Sequence, residues 1–198
     1  MSEIFDVCVV GAGMAGRLMA LALDDAGLKV ALVDRKAPEA PVTDGRTTAL
    51  AFASVRMIKR LGLWDQLAPK AEPITDILVS NGAPRDRFRA GGLTGGQLHF
   101  PATLLGEGPK PQDEPALGYI VENRDLLAVC QEKADTTTIE GRFGSAVASY
   151  ETATSSGEGV LKLDSGEEIR TRLVVACDGK FSPLRALKKL QTLNWGYD

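Results

Sequence analysis

Phe5-Asp-Val-Cys-Val-Val10 runs directly into Gly11-Ala-Gly-Met-Ala-Gly16. The first six residues are nearly all apolar and rich in β-branched types, the pattern of a strand buried on both faces of a parallel sheet. The glycine-rich turn ends that strand. Helical spacing then follows through Leu18, Leu21, Ala22 and Ala26, and Gly27 stands where a helix-terminating glycine belongs. Lys29-Val-Ala-Leu-Val-Asp34 is a second buried-type strand. Together these make a β-α-β unit of about 30 residues, whose crossover is right-handed in nearly all sheets.

The spacing Gly11, Gly13, Gly16 fits the dinucleotide fingerprint. One glycine permits the tight turn, the next lets backbone approach a pyrophosphate, and the third lets helix pack closely on strand. With 21 glycines in 198 residues, that spacing arises by chance about 0.2 times per chain, so the pattern alone is weak. Its context strengthens it. The pattern follows a strand, opens a helix, and is followed at the end of the next strand by Asp34, close to the roughly 20-residue offset of a ribose-binding acid. A carboxylate there disfavours a 2′-phosphate on that ribose and leaves FAD and NAD both open.

Composition narrows the rest. The net charge is −3, from 23 Lys and Arg against 26 Asp and Glu, so no basic footprint points to nucleic acid. Cys8, Cys130 and Cys177 are an odd number without a Cys-x-x-Cys spacing, which favours a reducing, cytoplasmic setting over a disulfide framework. With one histidine, a Ser–His–Asp triad could use only His99, and a zinc site of several histidines is excluded. No metal ligands are expected. No apolar run approaches the roughly 20 residues of a membrane span. Glu3 and Asp6 at the start of the chain do not suit a transit peptide.

Further along, Ala49 to Leu67 is helical by pattern, through Leu50, Val55, Ile58 and Leu61. Ile74–Ser80 and Gln97–Phe100 read as two antiparallel strands, an insertion into a parallel-type chain. Asn123–Ala134 reads as a helix, Thr136–Tyr150 and Val160–Leu163 as strands, and Leu173–Cys177 as a third buried strand running into Asp178-Gly179. A short basic helix follows near Pro183 to Lys189. Arg85, Arg87 and Arg89 alternate as a charged strand edge of the kind that guards against unwanted pairing. Cys8 and Cys177 read as small apolar groups in the sheet.

Asp44-Gly-Arg46-Thr-Thr-Ala-Leu50, Tyr119-Ile-Val-Glu-Asn-Arg124-Asp-Leu126 and Ala176-Cys-Asp178-Gly179-Lys-Phe-Ser182-Pro-Leu-Arg185 together resemble one family. This is the flavin-dependent aromatic hydroxylases of the para-hydroxybenzoate hydroxylase type. Within it the chain is most similar to the ubiquinone-biosynthesis hydroxylases, where Asn194-Trp-Gly-Tyr-Asp198 also has a counterpart. The resemblance implies an α/β fold: a Rossmann-like FAD-binding domain with a mixed sheet and an inserted antiparallel hairpin from a truncated substrate domain. The expected division is residues 1–73 with 102–198 for the FAD-binding domain, and 74–101 for the inserted strand pair.

The resemblance also implies roles. Gly11, Gly13, Met14, Ala15 and Gly16 would cradle the FAD pyrophosphate, and Asp34 would hold the adenosine ribose with Arg35 beside it. Arg46 with Thr47 would reach the pyrophosphate or ribityl side. Arg124 would touch the middle of the flavin nucleotide, and the Val147 backbone the adenine. Asp178 and Gly179 would form the second fingerprint, shared between FAD and a visiting NAD(P)H. The family reduces FAD with NAD(P)H, activates molecular oxygen and hydroxylates an electron-rich ring, here a polyprenylated phenol or quinone precursor. No catalytic residue is assigned within the chain.

Family members are roughly twice this length, and their later Gly-Asp motif and most of the substrate sheet have no counterpart here. The chain therefore reads as an N-terminal piece carrying the adenine half of the flavin site, with weak FAD retention and no hydroxylation alone. The expected setting is cytoplasmic, with peripheral contact at the inner membrane, and the hairpin edge offers a docking strand for a partner chain. Two other readings stand beside this one. One is a non-catalytic nucleotide-binding partner module. The other is an NAD-dependent dehydrogenase, which the hairpin insertion and the 44–50 loop disfavour because such folds continue by alternating strands and helices.

Overall fold

A computed structural model describes residues 3–37, 45–80, 97–105, 116–152, 157–193 and 195–196. The three arginines of the 85–89 stretch, Asp44, Asn194 and the terminal Tyr197-Asp198 lie outside these. The chain divides into two compact units, residues 1–45 with 123–198, and residues 46–122. The second unit takes in the 74–101 insert together with residues on both sides of it.

The first unit is built on a six-stranded sheet. Strands β1 (Ile4–Val10), β2 (Val30–Asp34), β8 (Glu140–Phe143), β9 (Val147–Thr152), β10 (Gly159–Leu163) and β11 (Glu168–Ala176) lie in the order β8-β2-β1-β11-β10-β9. The pairs β8–β2, β2–β1 and β1–β11 are parallel, whereas β11–β10 and β10–β9 are antiparallel. Helix α1 (Met14–Asp25) makes the crossover from β1 to β2, and α4 (Asn123–Ala134) packs against it.

Side-chain alternation explains why β1 and β2 read as unbroken apolar runs. Val7, Val9, Val30 and Leu32 face the α1 side, where they pack with Ala12 and Ala20. Cys8, Val10, Ala31 and Val33 face the other way, onto Leu161, Leu163, Ile169 and Leu184. Both faces are covered, one by helix and one by the antiparallel strands, so neither can be polar. Helix α1 ends as its sequence predicts. Gly27 adopts φ +80°, its N–H bonds the Asp24 carbonyl at 2.8 Å, and the Leu28 N–H bonds the Leu23 carbonyl at 3.1 Å. That double closure is a Schellman motif.

In the second unit, β3 (Thr47–Ala51), β7 (Gly118–Glu122) and β4 (Glu72–Ile74) form a sheet in the order β3-β7-β4. Helices α2 (Phe52–Arg60) and α3 (Trp64–Leu67) complete its core through buried Val55, Ile58, Leu63 and Leu67. Strands β5 (Asp76–Ser80) and β6 (Gln97–Pro101) pair antiparallel as a separate sheet. Pairing of β3 and β4 with β7 binds residues 46–73 to the later strand, which is why this unit extends beyond 74–101.

Four sequence expectations are corrected. The 49–67 helix begins instead with strand β3, because Thr47–Ala51 pairs across to Glu122–Gly118, a distant partnership that local periodicity does not register. Gly62 at φ +71° then separates α2 from α3. The strand expected from Ile74 breaks at Thr75, with β4 joining β7 and β5 joining β6. The strand expected over Thr136–Tyr150 is two strands with a turn at Gly144, φ +78°. Its first residues belong to the end of α4: the Thr136 and Thr137 hydroxyls donate to the Lys133 and Ala134 carbonyls at 2.8 and 2.7 Å. Finally, the 173–177 strand starts earlier, at Glu168, because β10 pairs with its first half.

Candidate nucleotide site

The carboxyl ends of β2, β1 and β11 meet at one place, held by backbone. The Gly11 N–H donates to the Val33 carbonyl and the Cys177 N–H to the Val10 carbonyl, both at 2.7 Å. Gly11 takes φ +102°, and a Cβ on it would strike the Cys177 carbonyl. A Cβ on Gly16 would overlap the Gly11 carbonyl. These two glycines are thus required by the protein's own packing. Gly13 is different: a Cβ there would meet no protein atom within 4 Å. Its lack of a side chain leaves open the approach to the first turn of α1, where helix geometry leaves amides without intrahelical acceptors.

Gly13 is the N-cap of α1 and no side chain caps that helix end. An N-terminus of this kind favours an anion through its amides and dipole. Asp34 closes the next strand, and its carboxylate accepts from the Ala12 N–H at 2.5 Å and from the Lys36 N–H at 2.8 Å. A carboxylate offers about four lone-pair positions, so two remain for a ribose diol. The glycine turn and the acid are therefore bonded to each other rather than merely adjacent. Arg35, next to Asp34, is exposed.

The turn after β8 comes to the same end of the sheet. The Ser145 N–H donates to the Asp34 carbonyl at 3.3 Å and the Gly144 N–H to the Lys36 carbonyl at 3.1 Å. Asp164 fixes that turn: it accepts from the Ser145 hydroxyl and, at 3.1 Å, from the Ala146 N–H. Those bonds, the Ser145 hydroxyl first, hold the Asp164 carboxyl below the usual value. Val147 follows directly, half-buried at the start of β9.

Asp178 and Gly179 leave the end of β11. The Asp178 carboxylate accepts from the Leu184 N–H at 3.0 Å, at the start of α5 (Pro183–Leu187), whose N-cap Ser182 accepts from the Arg185 N–H at 3.0 Å. Gly179 has φ +89°, so this turn is one that glycine makes without strain. A cleft of about 460 Å³ opens beside it, lined among others by Tyr150, Val174, Asp178, Ser182 and Lys188.

The structure thus brings Gly11 to Gly16, Asp34, Val147 and Asp178-Gly179 into the first unit at the carboxyl ends of its parallel strands. Such an end is where open α/β sheets bind ligands. Arg124 lies in the same unit, exposed in the first turn of α4. Arg46 and Thr47 belong to the second unit, exposed at the start of β3. His99 lies on β6 with its Nε2 2.7 Å from the Asp76 carboxylate, both exposed. Among the described residues no group of His, Cys, Asp and Glu could hold a metal ion. Cys8 is fully buried and its thiol is pushed up to about 12 by that burial, which suits the packing role expected of it.

Sequence reasoning missed Arg17. Its Nε donates to the Ala12 carbonyl at 2.9 Å and its guanidinium also bonds Gln131 of α4. Burial pulls it below its usual value. The available signal was a lone cation in the apolar run Met14–Leu23.

A fold of this kind, with three glycines serving a turn, a close approach and an open helix end, fits the adenine and pyrophosphate portion of a dinucleotide. Comparison with known proteins agrees. The chain is 33% identical over 204 residues to the ubiquinone hydroxylase UbiL of Rhodospirillum rubrum, covering 98% of this chain and 42% of the relative. It is 34% identical over 190 residues to the ubiquinone hydroxylase UbiM of Neisseria meningitidis, covering 93% and 38%. It thus spans about two-fifths of the length of these relatives. Among solved structures, p-nitrophenol 4-monooxygenase PnpA of Pseudomonas putida superposes with a TM-score of 0.72 at 21% identity, over 96% of this chain and 45% of that one. The probable FAD-dependent monooxygenase pqsL of Pseudomonas aeruginosa gives 0.70 at 18%, over 98% and 48%. The family model described as FAD binding domain matches residues 5–194, and the chain belongs to that family, in company with flavoprotein monooxygenases.

Proposed function

We propose that this chain is the FAD-holding portion of an aromatic ring monooxygenase acting in ubiquinone biosynthesis, with a polyprenylated phenol or quinone precursor as substrate, molecular oxygen as co-substrate and NAD(P)H as reductant. The observation that carries the reading is the convergence of the glycine turn, Asp34 and Asp178-Gly179 at the ends of β2, β1 and β11. The names of the relatives supply the reaction class. Bound FAD supplies the redox and oxygen chemistry, and the protein supplies binding and orientation.

Within that division of labour, the first-turn amides of α1 from Met14 to Gly16 hold the pyrophosphate, with Gly13 clearing its approach. Asp34 accepts from the adenosine ribose hydroxyls, with Arg35 beside it, and Val147 backbone borders the adenine. Arg124 contacts the middle of the nucleotide, and Arg46 with Thr47 the pyrophosphate or ribityl side, as fixed cations suited to phosphate oxygens. Asp178 and Gly179 border both FAD and the visiting NAD(P)H. Residues 1–73 with 102–198 serve FAD, and 74–101 belong to the substrate side.

No helix among the described residues is long and apolar enough to cross a membrane. A cytoplasmic protein meeting its lipid-like substrate peripherally at the inner membrane fits this reading. A non-catalytic partner module is favoured by one observation, the exposed apolar residues Ile77, Val79, Leu98 and Phe100 on β5 and β6. They offer a face for another chain.

Fluorescence titration of the purified chain with FAD, with NAD and ADP-ribose as competitors, tests the reading. Saturable FAD binding that ADP-ribose displaces, and that NAD does not match, is expected. Preference for NAD would replace it with a dehydrogenase. A folded chain that binds none of the three would leave the partner module.

A further inference from the structure

Arg17 is the half-buried cation of α1, and it has two acceptors on different segments of the chain. Its Nε holds the carbonyl of Ala12, back across the glycine turn, and its guanidinium also bonds the Gln131 side-chain oxygen on α4. Gln131 is oriented in turn by donating its amide to Asp135 at 2.6 Å. A guanidinium partly withdrawn from water is favoured by such acceptors, because leaving a charge unpaired there is costly.

The consequence lies in the peptide plane that Arg17 holds. A trans peptide points its N–H opposite to its carbonyl. The plane whose carbonyl is Ala12 carries the Gly13 N–H, so fixing that carbonyl toward Arg17 aims the Gly13 amide the other way, out of the helix end. The preceding plane is fixed too, by the Ala12 N–H on the Asp34 carboxylate at 2.5 Å. Both dihedrals of Ala12 are therefore set, one side by Arg17 and the other by Asp34.

We propose that Arg17 is a positioning residue of the nucleotide site: braced by Gln131, it locks the Ala12–Gly13 peptide so that the Gly13 amide faces the pyrophosphate. This deepens the FAD reading and rests on it. A plain strut between α1 and α4 would use the same Gln131 bond, yet it would have no effect on ligand affinity at constant stability.

The test compares Arg17→Met, Arg17→Lys, Gln131→Met and the Arg17→Met/Gln131→Met double variant by titration with FAD and with ADP-ribose, alongside thermal unfolding. Arg17→Met should weaken both ligands by the same factor, about tenfold, the loss expected for a charged hydrogen bond. Arg17→Lys, whose compact ammonium lacks the planar spread of guanidinium donors, should lie between it and wild type, and it carries the test should Arg17→Met fail to fold. Gln131→Met should weaken binding by about threefold, and the double variant should be no worse than Arg17→Met, since the residues act as one unit. Affinity within twofold of wild type in Arg17→Met, additive losses in the double variant, or affinity losses that merely track falling stability would each overturn the proposal. A wild-type chain that binds neither ligand would remove the FAD reading and the proposal with it. A wild type that binds beside unmoved Arg17 variants would remove the proposal alone.

Discussion

The three fingerprint glycines make separable demands, and alanine distinguishes them. At Gly16 a Cβ would overlap the Gly11 carbonyl, so Gly16→Ala should lose about 3 kcal/mol, the upper range for overpacking, in a urea-unfolding series. At Gly13 the Cβ meets no protein atom and the backbone is extended. Gly13→Ala should therefore fold within about 1 kcal/mol of wild type, the loss of a favourable N-cap residue, and yet bind FAD about tenfold more weakly if the pyrophosphate approaches there as proposed. A Gly13→Ala variant with wild-type affinity would remove the pyrophosphate from that turn. Gly27 sits in open space at φ +80°, so its replacement by alanine should cost about 1 kcal/mol through backbone strain alone. The cysteines differ in the same manner. Burial pushes Cys8 up to about 12 and Cys130 up to about 11, and in both thiols the reactive thiolate is suppressed. A disulfide reagent added to the folded chain should label Cys177, which is half-buried, before either of them.

Turns between elements place as much of the site as the elements do. The turn from β8 to β9 reaches Asp34 because Asp164 holds Ser145 and Ala146. The Asp164 carboxyl is lowered below the usual 3.8 by those bonds. A carboxyl lowered on folding contributes stability that is fully present above its unfolded value and is lost as pH falls through its folded value. Acidification below about pH 4 should therefore loosen this turn. In Ser145→Ala the folded chain should be less stable at neutral pH and should lose less stability on acidification than wild type, as read by unfolding at stepped pH. Equal pH dependence in the two proteins would show that Asp164 does not fasten the turn.

Unit boundaries follow from pairing across long separations. β3 and β4 lie on either side of β7, and β11 is shared: Glu168 to Thr171 pair with β10 and Arg170 to Ala176 with β1. From Arg172 to Ala176, β11 has β1 on one side and no other strand among the described residues, and Leu173 is 54% exposed in the middle of the sheet order. Phe181, Leu190, Leu193 and Trp195 are also exposed. Apolar side chains left open to water in this way are surface that an apolar dye can bind. The chain should raise the fluorescence of an apolar dye such as ANS in its folded state, and Leu98→Lys on β6 should reduce that signal without loss of FAD affinity. A folded chain that leaves the dye dark would contradict the exposure.

The β-α-β unit, its glycine turn, the acid that follows and the helix-ending Gly27 were all legible along the chain, because each depends on neighbours within about 30 residues and on hydrophobic period. The family resemblance carried that reading on to FAD. Strand β3 was not legible: Thr47–Ala51 lies beside a helical period, and only its distant partner β7 makes it a strand. Nor could the sequence show that Asp34, Ala12, Arg17 and Gln131 form one bonded series, since Arg17 and Gln131 meet only where α4 packs on α1. Local propensity and spacing specify the parts of a nucleotide site. Which peptide planes are locked, and by which side chains, is decided by packing between elements far apart in sequence.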